Sequence, residues 1–391
     1  MRRITVEERR ARPARRHCLA PAARAEDVTE VCGDLVALHS TDPASVYLAA
    51  FARLHSPQVA AIGRGLYEDR TVVRMLGMRR TLFVVPGDLV PVVQGSCTQP
   101  IGARERRLLV ERLQRQGIDG DAAGWLSTLE DATFAALLAR GEATAAELCD
   151  DVPGLRQPVG FGAVDNPRMR QPIWPRVLLL LAAQGRIVRS RPRGSWVSGQ
   201  YRWSPSRSWL GGDIAALPVD EARAALVRRW LAAFGPGTAA DLKWWTGWTA
   251  AQVRQALSDV GPVEMVLDGG TGLVLADDLE PVPAVEPWVA LLPALDSTVM
   301  GWAQRDWYLG PHRPALFDGN GNAGPTVWCD GRVVGGWGQR KGGQVVFRLL
   351  EDVGAQAAAA VRTEADRLER WLGDVRVTAR FRTPLERELT A

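Results

Sequence analysis

One pattern recurs three times along this 391-residue chain and limits its fold more than any other feature. Each copy reads as a helix, a short second helix, a third helix, and two strands joined by a turn that contains glycine. The first copy covers about residues 26–86. Helices are predicted over 25–39, 42–53 and 56–69, the second of them from Val46, Ala49, Ala50 and Arg53 at helical spacing. Strands follow over 71–76 and 79–85, around Gly77 and stopped by Pro86. The second copy covers about 130–210, with helices over 130–140, 143–150 and 171–184. Gly185 then stands where a helix C-terminus favours glycine, before strands over 186–189 and 199–203. The third covers about 219–278: a helix over 220–234 closed by Gly235-Pro236-Gly237, then helices that Thr238 and Thr249 cap, then a hairpin turning through Asp268-Gly269-Gly270. The repeat lies in the pattern only; no residue identity carries it.

Three helices followed by a two-stranded wing is the winged form of helix-turn-helix architecture, in which a helix enters the DNA major groove. One such unit arises easily. Three in series favour an extended DNA surface over a small-ligand pocket. After residue 280 the character changes: Pro281, Pro283 and Pro287 mark a linker, and residues 288–350 read mainly as strands, with Asp330-Gly331 a hairpin signal. A helix is predicted over 355–372 and a closing strand over 375–381. The expected fold is α+β, three tandem winged-helix units plus a C-terminal β-rich domain. Its segments are 1–129 (first unit with a mixed connector over 87–129), 130–215, 216–280 and 281–391.

Composition permits a nucleic-acid partner without demanding one. The net charge is +4, but all of the 48 basic residues except Lys243 and Lys341 are arginine. Arginine presents a planar fork of donors suited to phosphate; a GC-rich genome gives the same bias. The 46% hydrophobic and 24% charged content describes a globular chain. No apolar run reaches the roughly 18 residues of a membrane span, and the first residues lack a signal-peptide apolar stretch, so a cytoplasmic protein with no membrane partner is expected. The cysteines (Cys18, Cys32, Cys97, Cys149, Cys329) and histidines (His17, His39, His55, His312) lack metal-site spacing. No metal and no cofactor is expected, and no phosphate-cradling or nucleophile-elbow motif is present.

The order of segments resembles the winged-helix DNA glycosylases of the AlkZ/YcaQ type, bacterial proteins associated with antibiotic self-resistance. The stretches that carry the resemblance are 35–43, 78–85, 231–245, 291–296 and 327–335, over roughly 25–380 of the chain. The resemblance implies a monomeric, monofunctional glycosylase acting on double-stranded DNA that carries bulky or cross-linked alkylpurines. It places the catalytic motif, Gln-x-Gln or Gln-x-Asp, between the first two helices of the first unit. Here those two positions read His39 and Thr41.

His39-Ser40-Thr41-Asp42-Pro43 is therefore the candidate reaction centre. Cleavage of an N-glycosidic bond passes through an oxocarbenium-like sugar. A guanine alkylated at N7 is already cationic and leaves without a protonating acid, so the protein needs to place a water under C1′. An imidazole can take that water's proton near neutral pH, and Thr41 can hold the same water. Asp42 either stabilises the sugar cation or orients His39, or is simply the N-cap before a Pro at the first helical position. Arg79 and Arg80 in the first wing, and Arg189, Arg191 and Arg193 in the second, are candidate phosphate contacts, or else solvated turn residues. Trp244, Trp245 and Trp248 read as core, whereas Trp196 and Trp203 flank the second wing as candidates for a ligand surface. A non-catalytic winged-helix DNA binder is the alternative, with a protein-interaction scaffold behind it.

Overall fold

A computed structural model describes residues 2–117, 120–161 and 170–391 of the chain. Residues 118–119, in the connector, and 162–169, in the second copy, lie outside the described residues. The chain forms two compact units: Met1–Val73, Phe83–Gly87 and Arg223–Ala391 make the first, and Arg74–Leu82 and Asp88–Ala222 the second.

The first copy of the pattern folds as helices Val28–Asp34, Pro43–Phe51 and Val59–Tyr67 followed by strands Val72–Leu76 and Leu82–Pro86. The helix predicted over 25–39 is shorter than expected. Val36 sits at φ +63°, a left-handed conformation that a β-branched residue enters only under constraint and that a helix does not continue through. The chain then extends as a strand, Leu38–His39, which pairs antiparallel with Leu82–Pro86 at Leu38↔Val84 and His39↔Phe83. That strand sets the direction in which residues 40–43 leave the sheet. The Val6–Arg16 helix precedes all of this, capped by the Thr5 hydroxyl, and sequence reasoning did not anticipate it.

The third copy follows the predicted order. Helices Val219–Phe234, Ala239–Thr246 and Ala250–Val260 lead into the hairpin Val263–Leu267 and Gly270–Val274. Thr238 with Asp241, and Thr249 with Gln252, form reciprocal capping boxes that satisfy two orphan amides each. Gly237 is required by packing, since a Cβ there would stand 2.2 Å from the buried Trp230 ring. Of the three tryptophans read as core, Trp245 and Trp248 are buried, whereas Trp244 is only half-buried under the Arg305 guanidinium; Trp230, Phe234, Trp245 and Trp302 form one aromatic cluster.

Four antiparallel strands come next in the order Val289–Leu292, Thr326–Cys329, Arg332–Gln339 and Val345–Leu349. Asp330 (φ +47°) and Gly331 (φ +80°) make the expected tight turn between the middle pair. The predicted helix is present as Gly354–Leu372. The strand predicted over 375–381 is not. There the Val377 amide donates to the Gln339 side-chain oxygen at 2.8 Å, and Gln339 Nε2 donates to the Val375 carbonyl at 3.2 Å. One side-chain amide thus replaces a backbone ladder, and a helix, Pro384–Thr390, closes the chain.

In the second unit, helices Gln99–Arg115, Ala122–Arg140, Ala145–Asp151 and Trp174–Ala183 pack around Leu113, Leu126, Leu148, Leu155, Val177 and Leu181, all fully buried. Gly185 at φ +75° follows the last helix as expected. The hairpin Ile187–Pro192 and Tyr201–Pro205 pairs irregularly between Arg189 and Pro192.

Deep in the first unit lies a polar network. Arg53 and Asp296, both fully buried, meet bidentately at 2.8 and 2.9 Å. Arg53 also donates to the carbonyls of His17 and Ala49 and to the Thr298 hydroxyl. His17 donates from Nε2 to the Ala233 carbonyl at 3.1 Å and accepts the Thr298 hydroxyl at Nδ1, 2.9 Å away. Burial first, then the Arg53 charge, push its pKa down from 6.5 to about 3. The unfolded chain protonates His17 near 6.5 and the folded one only near 3, so this stability is complete above the higher value and lost as pH falls toward the lower. Unfolding free energy should therefore fall between pH 6.5 and 4, with up to about 1.4 kcal/mol per pH unit from this residue. Denaturant titrations of the wild type and His17→Gln check it: the variant is expected to show a shallower slope, and equal slopes would contradict the assignment.

Candidate functional site

The segment 39–43 is held on every side by the first unit. Ser297 Oγ donates to the Ala37 carbonyl at 2.6 Å just before it, and Ser45 Oγ donates to the Ala294 carbonyl at 2.7 Å just after. Asp42 caps the Pro43–Phe51 helix, its Oδ1 accepting the Ala44 amide at 3.1 Å, with Pro43 at the first helical position. Its other oxygen accepts the Arg380 amide at 3.0 Å, and the Arg380 guanidinium donates to the Thr41 carbonyl at 3.1 Å. Burial holds the Asp42 carboxyl above its ordinary range, while the amides of Arg380 and Ala44 pull the other way.

His39 is 6% exposed, its ring edge-on to Phe83 with centroids 4.9 Å apart. The Thr41 amide donates to its Nδ1 at 3.4 Å, a long contact. A donor pointing at Nδ1 selects the tautomer with the lone pair on Nδ1 and the proton on Nε2. The Thr41 hydroxyl oxygen is buried and, among the described residues, has no hydrogen-bond partner. A buried hydroxyl with nothing to bond carries a penalty of order 1–3 kcal/mol, which a bound water or substrate atom would relieve. His39, Thr41 and Asp42 are thus brought together, with an acceptor nitrogen and an unsatisfied hydroxyl two residues apart. Arg380, Ser45 and Asp296 were missed by sequence reasoning. Asp296 does end one of the stretches that carried the family resemblance, but nothing local marks Arg380, which meets Asp42 across 338 positions.

The five candidate phosphate contacts all belong to the second unit. Arg79 (φ +52°) and Arg80 (φ +59°) are consecutive left-handed residues in the turn between Val72–Leu76 and Leu82–Pro86. The Gly77 amide closes that turn on the Thr81 carbonyl at 2.9 Å, and Arg80 pairs with Glu105 at 2.7 Å. Arg189 lies half-buried over Trp203, 4.5 Å from the ring centroid, and burial with the neighbouring Arg74 charge lowers its pKa to about 10, so it stays cationic at neutral pH. Trp203 itself is buried, packed in this unit's core rather than forming the ligand surface expected of it. Arg191 and Arg193 are exposed along the same hairpin, and the Arg193 amide bonds to the Gln200 carbonyl at 2.8 Å.

Among the described residues, no helix is long and apolar enough to cross a membrane, and no group of three or more His, Cys, Asp or Glu could hold a metal.

Comparison with known proteins gives three findings. The interstrand DNA cross-link repair glycosylase of Streptomyces sahachiroi is 28% identical over 218 residues, 53% of this chain. The match spans 57% of that relative's length. The solved structure of the Streptomyces sahachiroi DNA glycosylase AlkZ superposes with a TM-score of 0.73 at 20% identity, covering 97% of this chain and 99% of that one. At that identity the likeness speaks to fold. The profile of the DNA glycosylase AlkZ-like family matches residues 32–371, and the chain belongs to that family.

Proposed function

We propose that this protein is a monofunctional DNA glycosylase that hydrolyses the N-glycosidic bond of bulky N7-alkylguanine adducts in double-stranded DNA, acting as a cytoplasmic monomer in self-resistance to a genotoxic product. Family membership supports the reaction class. The observation that carries the site is the Thr41 hydroxyl, buried without a partner among the described residues, on the residue whose backbone amide meets His39 Nδ1. The three helix–helix–helix–hairpin copies support three winged-helix units within the segments 1–129, 130–215 and 216–280, followed by a β-rich domain over 281–391. Arg79, Arg80, Arg189, Arg191 and Arg193 would then grip the backbone.

In this reading a water sits between the Thr41 hydroxyl and His39 Nδ1, taking over the long 3.4 Å amide contact. As the C1′–N9 bond lengthens, its electron pair goes to the cationic alkylguanine, which leaves neutral. The water oxygen bonds C1′ and its proton passes to Nδ1. The Asp42 carboxylate, fixed by two backbone amides, supplies a negative charge against the sugar cation and keeps residues 39–42 in register. Preorganisation of this kind acts without rearrangement at the moment of reaction.

The burial of His39 favours a second reading, a lesion-shielding DNA binder without catalysis. One assay separates the two. Duplex DNA carrying simple and bulky N7-alkylguanine is incubated with the protein and probed for abasic sites by alkaline cleavage. Product is expected, and His39→Ala is expected to lower the rate by at least 10²-fold with duplex affinity within about twofold; tight binding without product from any adduct would establish the shielding reading instead. Arg380 acts on the reaction through Thr41 and Asp42. Arg380→Ala is expected to lower kcat with little change in KM, and Arg380→Lys to restore part of it; a loss confined to KM would make Arg380 a substrate contact only.

A further inference from the structure

The second unit holds a cavity of about 200 Å³ whose walls carry Arg80, Arg112 and Arg176 over a leucine floor. Among the described lining residues Glu105 is the single carboxylate, and it is paired with Arg80. Three guanidinium groups among those described residues thus face one carboxylate. Phe161 orders two of them, with the Arg176 guanidinium 4.6 Å and that of Arg112 5.5 Å from its ring centroid. Arg112 also donates to the Gly160 carbonyl at 2.9 Å, and Gln116 clamps Gly160 from both its amide and its carbonyl. The ring is thus a shelf for arginines. Arg80 is brought to the rim by the turn at Arg79 and Arg80, two successive left-handed non-glycine residues that the chain adopts only under constraint. Burial, then the charges of Arg80 and Arg112, depress the Arg176 pKa, as close packing of like charges requires.

A cavity of this size is smaller than the roughly 300–1,000 Å³ of a closed ligand pocket, and suits a phosphate with part of its sugar. We propose that Arg80, Arg112 and Arg176 form a phosphodiester site that grips the DNA backbone without reading its sequence. The proposal rests on DNA being the substrate, as argued above.

The test uses the full chain and an undamaged duplex, with the dissociation constant measured against NaCl concentration. Each phosphate that the protein no longer neutralises reduces the log–log slope by about 0.9. The double variant Arg112→Gln with Arg176→Gln is expected to reduce the slope by one to two and weaken binding at least tenfold at low salt. Glu105→Gln, which removes the opposing charge, is expected to tighten binding, and Arg362→Gln on the helix Gly354–Leu372 to leave the slope unchanged. A double variant with the wild-type slope overturns the proposal. So does the pattern in which inorganic phosphate raises the melting temperature of the wild type but not of the double variant while their duplex slopes agree, since the site would then serve a free anion. A wild type that binds no duplex at all would fail the glycosylase reading as well, whereas an unchanged slope with intact excision fails this proposal alone.

Discussion

Everything proposed for residues 39–42 depends on the buried ion pair between Arg53 and Asp296. Two charges removed from water are costly to desolvate, and are tolerated only when geometry is good and the remaining donors are satisfied. Here the pairing is bidentate, and Arg53 spends its other hydrogen bonds on His17, Ala49 and Thr298. His17 then passes the connection to Ala233. The network therefore fastens the end of the Pro43–Phe51 helix to the residues after Val289–Leu292 and to the end of Val219–Phe234. Removing one member would strand a charge in the core, at a cost of about 3–5 kcal/mol.

The consequence is a frame tied around the short segment proposed to carry the chemistry. The start of the same helix is capped by Asp42, which Arg380 approaches with its backbone amide. Ser45 and Ser297 tie the flanks of the segment to Ala294 and Ala37, so residues 294–298 run beside it and hold both ends. A site needs such support to keep a water within a fraction of an ångström of its productive place. Among the described residues the buried Thr41 hydroxyl has no hydrogen-bond partner, and in the proposed reaction it holds the attacking water.

Much of the fold was legible because its signals are local. The Thr238 and Thr249 caps, the stop at Gly185 and the Asp330-Gly331 turn each act over three or four residues, and each is where the sequence placed it. The misreadings arose where distant residues decide. Val36 takes a left-handed conformation that its own propensity disfavours, and the helix predicted through it becomes the strand Leu38–His39. Gln339 substitutes for a strand partner at Val377. At the site, the family resemblance together with the residue types named His39, Thr41 and Asp42, but their setting was out of reach. Arg380 has no local mark, and the burial of Trp203 under Arg189 reverses the reading of that ring as surface.

The central claim is that residue 39 handles the proton of the attacking water as well as its position. Glutamine, which the resembling glycosylases carry there, can orient a water but does not titrate. The pH dependence of single-turnover excision, measured side by side for the wild type and His39→Gln, isolates that difference. The account predicts an ionisation in the wild-type profile, with the rate rising as the imidazole becomes neutral, and its disappearance in the variant. Identical profiles with comparable rates would contradict it.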